Sequence, residues 1–298
     1  MKAMQTVRNR KSKKLNTKHI EIVRDVSTLR AKVREWRQNG ETIGLIPTMG
    51  ALHDGHLALV KAAQRTCDRT VTSIFVNPTQ FAPSEDFESY PRDEADDIAK
   101  LDSLSADIAF MPGVADMYAD GFSTRVAVSG LSEGLCGASR PHFFGGVATV
   151  VTKLLLQALP DRAYFGEKDY QQLQVVSRMV RDLDIPSTIV GVPTVRESDG
   201  LAMSSRNWYL SPQERTVAPT LHNVLRDVAA RVAGGEDCAS AIAAGRAVLE
   251  TAGFGPVDYI AVCHAESLEP LDRVDGPARV LAAAHLGRTR LIDNVPVK

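Results

Sequence analysis

The 298-residue chain has only four cysteines, Cys67, Cys136, Cys238 and Cys263, spread far apart with no C-x-x-C pair. That excludes a disulfide framework and a zinc knuckle, and it fits a reducing compartment. No stretch approaches the ~18 to 20 uninterrupted apolar residues that a membrane-spanning helix requires. The richest, residues 147–159, is broken by Thr149, Thr152, Lys153 and Gln157. Internal repeats and low-complexity tracts are absent. Net charge is −1, with 44% hydrophobic and 24% charged residues, values that exclude disorder, collagen and membrane classes. A soluble cytoplasmic protein of one large domain or two ordinary ones is expected.

The charge is unevenly placed. Lys2, Arg8, Arg10, Lys11, Lys13, Lys14 and Lys18 face no acid within residues 1–20, so the rest of the chain is acidic. An acidic body makes a poor nucleic-acid footprint. The basic stretch 1–19 lacks the apolar region of a secretory signal and reads as a disordered leader, with a binding arm as the other reading.

From residue 20 strand-like and helix-like segments alternate. Strands are expected over 42–47, 71–76, 108–111, 163–165 and 187–192, and helices over 57–65, 93–101, 147–159 and 170–183. That alternation implies an α/β fold with a parallel, Rossmann-like sheet covered on both faces, which places ligands at the carboxyl ends of the strands. After residue 195 helices dominate 212–252, followed by strand candidates at 258–262, 278–284 and 291–295. The expected organisation is a tail over 1–19, a nucleotide-binding domain over 20–194 and a smaller α+β C-terminal domain over 195–298, joined through 196–211.

Four segments carry chemistry. Residues 47–56, PTMGALHDGH, follow a strand and open a helix, where free N–H groups and the helix dipole attract anions. Gly50 and Gly55 allow close backbone approach, and His53 and His56, three apart, share a face. The lysine and Ser/Thr of a P-loop are missing, so this is not a Walker A site. Residues 76–81, VNPTQF, place the neutral amides Asn77 and Gln80 after a strand, suited to hydroxyl and carboxylate groups. Residues 165–173, FGEKDYQQL, put Lys168 and Gln172 on one helix face. A lysine at a helix start is disfavoured unless an anion is near. Residues 200–207, GLAMSSRN, offer Met203 to a flat ring and Ser204, Ser205 and Arg206 to phosphate oxygens. Each has a plainer reading: a turn with surface histidines, an Asn-Pro turn, a solvated helix start, a polar linker. Together they describe a site that binds and polarises a triphosphate. A nucleotidyltransferase and a non-catalytic nucleotide sensor remain as rivals, and a tRNA synthetase is disfavoured by the acidic body.

In this order and spacing the four segments resemble the pantothenate synthetase (pantoate–β-alanine ligase) family from about residue 20 onward. The resemblance implies a Rossmann-like ATP domain, a C-terminal lid, a homodimer, and joining of pantoate to β-alanine with cleavage of ATP to AMP and pyrophosphate. Carried over by motif, ATP would meet Met49, Gly50, Ala51, Leu52, His53, Asp54, Gly55 and His56. It would also meet Gly166, Glu167, Lys168, Asp169, Val195, Met203, Ser204, Ser205 and Arg206. His56 would assist departure of pyrophosphate, with His53, Lys168 and Arg206 as the other catalytic groups. Gln80 and Gln172 would hold pantoate, Gln80 also lying near β-alanine. Asp96 and Asp97 match carboxylates assigned to Mg2+ in some members; the alternative is two acids on an exposed helix, and Lys100 stands where a further ligand is expected. One departure is visible. The family pattern RP-x-HF-x-GVATVV becomes RPHFFGGV here, so His142 comes one place early and Phe143 takes the usual histidine position.

Overall fold

The computed structural model describes residues 19–82, 85 and 87–298. The basic-tail reading falls almost wholly on residues outside these. The first half is one six-stranded parallel sheet of order β1-β4-β3-β2-β5-β6. Its strands are β1 (Glu21–Val23), β2 (Ile43–Thr48), β3 (Arg69–Ile74), β4 (Ile108–Phe110), β5 (Arg162–Gly166) and β6 (Thr188–Val192). Burial on both faces explains why β2 to β5 read as short, nearly continuous apolar or Thr/Ser runs. Helices α1 (Val26–Gln38), α2 (Asp54–Thr66), α3 (Glu94–Ser103), α4 (Val114–Met117), α5 (Cys136–Ser139), α6 (Phe143–Ala158) and α7 (Tyr170–Asp182) connect them. One core packs α1, α6 and α7 against the sheet through Leu29, Val33, Val147, Val151, Leu154 and Val176. A separate core packs α2 and α3 through Leu59, Val60 and Leu101. The layers are helix, sheet, helix.

The second half has its own core. Helices α8 (Pro212–Val217), α9 (Thr220–Ala233) and α10 (Cys238–Thr251) cover an antiparallel sheet of β7 (Phe254–His264), β8 (Ala278–Leu286) and β9 (Thr289–Pro296). The first half is α/β as the alternation implied, and the second is the small α+β unit. The expected elements all occur, with ends moved by at most four residues. Absent from the sequence reading are β1 and α1, although Asp25 caps α1 by accepting from the Thr28 N–H and Leu29, Val33 and Trp36 mark its buried stripe.

Two features open the site. The chain leaves β2 for β3 on one side and later fills the other side with β5, so the strand order reverses between β2 and β5. Pairing of β2 with β5 covers only Gly44 and Leu45, and ends before Pro47, whose missing N–H would break a continued ladder. A crevice at such a reversal is where α/β sheets bind ligands.

Candidate active site

A cavity of about 210 Å³ opens at this crevice, lined by all four sequence motifs. Three of its walls are single 3₁₀ turns, Pro78–Gln80, Glu167–Asp169 and Ser205–Tyr209. Such turns recur at element ends and functional hinges.

His53 is the N-cap of α2. Its Nδ1 accepts from the Gly55 N–H at 3.2 Å, and the Nδ1 of His56 accepts from the His53 N–H at 3.4 Å. With both Nδ1 atoms accepting, each neutral ring carries its proton on Nε2, a tautomer assigned from these bonds. The rings stack at 4.1 Å between centroids. Burial, then the nearby Lys168 ammonium, pushes His53 down to about 4. Burial, then His53 and Lys168, holds His56 well below its ordinary value. The pair is therefore uncharged at neutral pH and acts through N–H donors. This replaces the reading of a turn with two surface histidines.

The loop before α2 is strained and held from outside. Gly50 has φ +81° and Ala51 φ +49°, the latter unusual for a residue with a Cβ. A Cβ at Gly50 would lie 2.9 Å from Asp97 Oδ2. The Asp97 carboxylate accepts from the Ala51 N–H at 2.9 Å and the Leu52 N–H at 2.6 Å, and Lys100 Nζ donates to the Leu52 carbonyl at 2.6 Å. One face of α3 thus clamps the loop. Asp97 is buried, and burial raises its pKa against the opposing pull of those N–H groups. Asp96 instead forms an exposed ion pair with Lys100 at 2.5 Å. The structure therefore does not present Asp96 and Asp97 as a free pair for a cation, nor as two idle surface acids. Among the described residues no group of three His, Cys, Asp or Glu side chains could hold a metal. Asp96 and Asp97, engaged in this way, do not fit a protein-held magnesium.

Asn77 is fully engaged. Its Nδ2 donates to Gln80 Oε1 at 3.1 Å and the Gly146 carbonyl at 3.2 Å, while its Oδ1 accepts from Thr79 and from the Tyr118 hydroxyl at 2.8 Å. Asn77 thus holds Gln80 while itself lining the cavity. Gln80 in turn places its Nε2 3.0 Å from Met49 Sδ, joining the second motif to the first. Gln172, Gly166, Lys168 and Asp169 line the opposite wall, with Lys168 18% exposed and 3.9 Å from Asp169. Val195, Met203, Ser204, Ser205 and Arg206 close the third side. The Met203 N–H donates to the Val195 carbonyl at 3.0 Å, Ser204 Oγ accepts from the Arg206 N–H at 3.3 Å, and Tyr90 meets Ser205 at 3.2 Å between hydroxyls. Gly50, Ala51, Leu52, Asp54 and Glu167 do not line this cavity; the first three form the loop beneath it, and Glu167 receives Arg279 Nη2 at 3.1 Å.

Sequence reasoning missed several lining residues. Arg140 forms a two-pronged pair with Glu85, at 2.6 and 2.7 Å, and its guanidinium lies 3.9 Å above the Phe143 ring. Phe143 lines the cavity where the family pattern carries histidine, and His142 lies 3.9 Å from Glu85. A second cavity of about 480 Å³ lies between the two units and shares Lys168, Asp169, Gln172, Ser204 and Arg206 with the first. Its other walls come from α5, α6 and α7 on one side and from α9, β7, β8 and β9 on the other.

The sequence profile of pantoate-beta-alanine ligase matches residues 21–296. That span includes every wall of the cavity. The chain belongs to the pantoate–β-alanine ligase family. Curated relatives include the pantothenate synthetase of Paramagnetospirillum magneticum, 57% identical over 94% of this chain and 98% of that protein. The pantothenate synthetase of Rhizorhabdus wittichii is likewise 57% identical, over 94% of this chain and 99% of its own length. Crystal structures match over a similar span. Pantothenate synthetase from Thermus thermophilus superposes with a TM-score of 0.88 at 49% identity, covering 93% of this chain and 99% of that one. The Francisella tularensis pantoate-beta-alanine ligase complexed with beta-gamma ATP and beta-alanine gives 0.79 at 33% identity, covering 93% and 97%. As a pantoate–β-alanine ligase the chain is an ATP-dependent enzyme that condenses pantoate with β-alanine. Among the described residues no helix is long and apolar enough to cross a membrane.

Proposed function

We propose that condensation runs through a pantoyl-adenylate formed in the smaller cavity. A carboxylate does not acylate an amine in water, because its oxygen is a poor leaving group. The pantoate carboxylate attacks the α-phosphorus of ATP, the bond to the bridging oxygen breaks, and pyrophosphate leaves with the electron pair. The amine of β-alanine then attacks the acyl carbon, AMP departs, and the amine loses one proton. Negative charge gathers on phosphate oxygens in the first step. Groups that meet it are the Nε2–H donors of His53 and His56, the Lys168 ammonium, Arg206 and the free N–H groups at the start of α2. Gln80 and Gln172, which both line the cavity, hold pantoate. No side chain needs to become covalently attached.

The observation that carries this reading is the neutral imidazole pair at the start of α2, sharing one cavity with Lys168 and the Ser204–Arg206 turn. The unit over 195–298 acts as a lid on the site formed by 20–194. Magnesium would enter with the triphosphate, since Asp97 is held by the Ala51 and Leu52 N–H groups and Asp96 by Lys100. A cytoplasmic location and a homodimer complete the proposal; light scattering on the purified chain reads the second directly.

Rapid-quench measurement of pyrophosphate and AMP, with and without β-alanine, tests the pathway. ATP plus pantoate alone should release pyrophosphate in a burst near one equivalent per site, with AMP following slowly. Adding β-alanine should start steady formation of AMP, pyrophosphate and pantothenate in equal amounts. Pyrophosphate release that strictly requires β-alanine would rule out the adenylate, and ADP with phosphate would indicate an acyl phosphate.

A further inference from the structure

The phosphate-facing lysine does not hold its own position. Lys168 sits in the short turn Glu167–Asp169, which has no side-chain cap of its own. Its backbone is secured from the other half of the molecule. Asn294, on the edge strand β9, donates both hydrogens of Nδ2, to the Glu167 carbonyl and to the Lys168 carbonyl, each at 2.9 Å. Its Oδ1 is buried and without a partner, so the amide is present for its two donors. The neighbouring residue does the same for the other loop. Asp293, 3% exposed, forms a two-pronged pair with Arg196 at 2.6 and 2.9 Å. Arg196 passes this on to the Gly200 carbonyl at 3.0 Å, inside the hairpin that leads to Met203 and Arg206. Successive side chains leave a strand on opposite faces. Asp293 meets Arg196 and His222 of α9, while Asn294 faces the lysine turn.

From this we infer that Asn294, with Asp293 beside it, is a positioning residue for adenylation: it sets the Lys168 turn and ties phosphate binding to docking of the C-terminal unit. The inference rests on Lys168 acting on the phosphates. Asn294 is not among the residues lining the smaller cavity; it acts through the peptide groups that carry Lys168. Freeing the turn displaces the ammonium from a path on which about 1 Å matters. The effect falls on the first half-reaction, while pantoate binding through Gln80 and Gln172 stays as it was.

A double-mutant cycle decides it. Asn294→Leu keeps shape and removes both donors; Asn294→Ser keeps one hydroxyl donor and serves if the leucine variant folds poorly. Single-turnover pyrophosphate release from ATP and pantoate is measured for the parent chain, Asn294→Leu, Lys168→Ala and the double variant, with far-UV circular dichroism as the folding control. Asn294→Leu is expected to slow the burst roughly tenfold to a hundredfold with the pantoate KM unchanged. In the Lys168→Ala background the same change should have almost no further effect, because what it positions is gone. Equal losses in both backgrounds would show a general structural role and overturn the inference. So would a burst rate for Asn294→Leu within about threefold of the parent. If Lys168→Ala itself loses nothing, the reading of Lys168 fails, and that outcome is separate from additivity at Asn294.

Discussion

Asp97 separates two views of the first motif: a magnesium ligand, or the clamp that holds Ala51 and Leu52. Asp97→Asn discriminates them because it keeps shape and removes the charge. An asparagine has one acceptor oxygen, so only one of the two N–H groups, now bonded at 2.9 and 2.6 Å, keeps its partner. The other N–H faces an amide NH2. Leaving a buried donor unsatisfied costs about 1 to 3 kcal/mol. The left-handed conformation of Ala51, at φ +49°, adds strain that the clamp now holds in place. Against this, burial raises the Asp97 pKa, so neutralising the side chain returns part of the loss. The net expectation is a destabilisation of about 2 kcal/mol, or a fall in melting temperature of about 4 °C for a chain of this size.

The assay is thermal unfolding in excess EDTA, with pyrophosphate release titrated against magnesium in parallel. A clamp predicts the full loss of stability without any metal, and a lower rate with an unchanged magnesium midpoint. A metal ligand predicts the reverse: coincident melting curves in EDTA and a higher magnesium requirement. Curves within about 1 °C in EDTA would refute the clamp.

Lys168→Ala should lower kcat/KM for pyrophosphate release by roughly 10² to 10³, the loss expected of one transition-state charge, without lowering the melting temperature; a change within about threefold would make it a bystander. Gly146→Ala should destabilise by about 1 to 3 kcal/mol and raise the pantoate KM, because its Cβ would lie 2.5 Å from the Thr79 carbonyl beside Gln80; an unchanged KM and melting temperature would show that the Asn77–Gln80 turn yields freely. His53, pushed down to about 4 from 6.5, stays neutral in the folded chain while the unfolded chain protonates, so stability present above pH 6.5 is lost as pH falls toward 4. The loss from this group is at most about 3 kcal/mol. His53→Asn keeps an N-cap and removes the titration, so its melting temperature should fall less over that window; parallel profiles would exclude His53 as the source.

The sequence disclosed most of the chemistry because the chemistry is local. His53 and His56 lie within one helical turn, and Lys168 and Gln172 on the next strand-to-helix junction, so motif and spacing place them together. What stays hidden in the sequence is long-range. Nothing near Asp97 in the sequence announces that its carboxylate closes a loop 45 residues away. Asn77 reads as a ligand-binding amide because an amide before Pro78 looks available; the Tyr118 hydroxyl and the Gly146 carbonyl that occupy it come from remote segments. The roles of Asp293 and Asn294 depend on the C-terminal sheet docking against the Glu167–Asp169 turn, a contact that no periodicity encodes. β1 and α1 are a different case. Asp25 followed by Leu29, Val33 and Trp36 is a legible cap and stripe, so nothing physical conceals α1.

Burial, and then the charges around them, explain why the imidazoles are neutral. Two charged rings 4.1 Å apart, beside Lys168 and near Lys100, would repel one another in a partly enclosed cavity. The fold avoids that by spending each Nδ1 on a backbone N–H, which leaves one Nε2–H per ring. Donors fixed in this way need no reorganisation when phosphate charge develops, and they do not hold the anionic products as a cationic pair would. The permanent positive charge is left to Lys168 and Arg206, on two loops that β9 ties to the C-terminal unit. Charge and hydrogen-bond donors thus come from separate loops: Lys168 follows β5, which pairs with the β2 strand that leads to the imidazoles, and Arg206 lies in the segment beyond the parallel sheet.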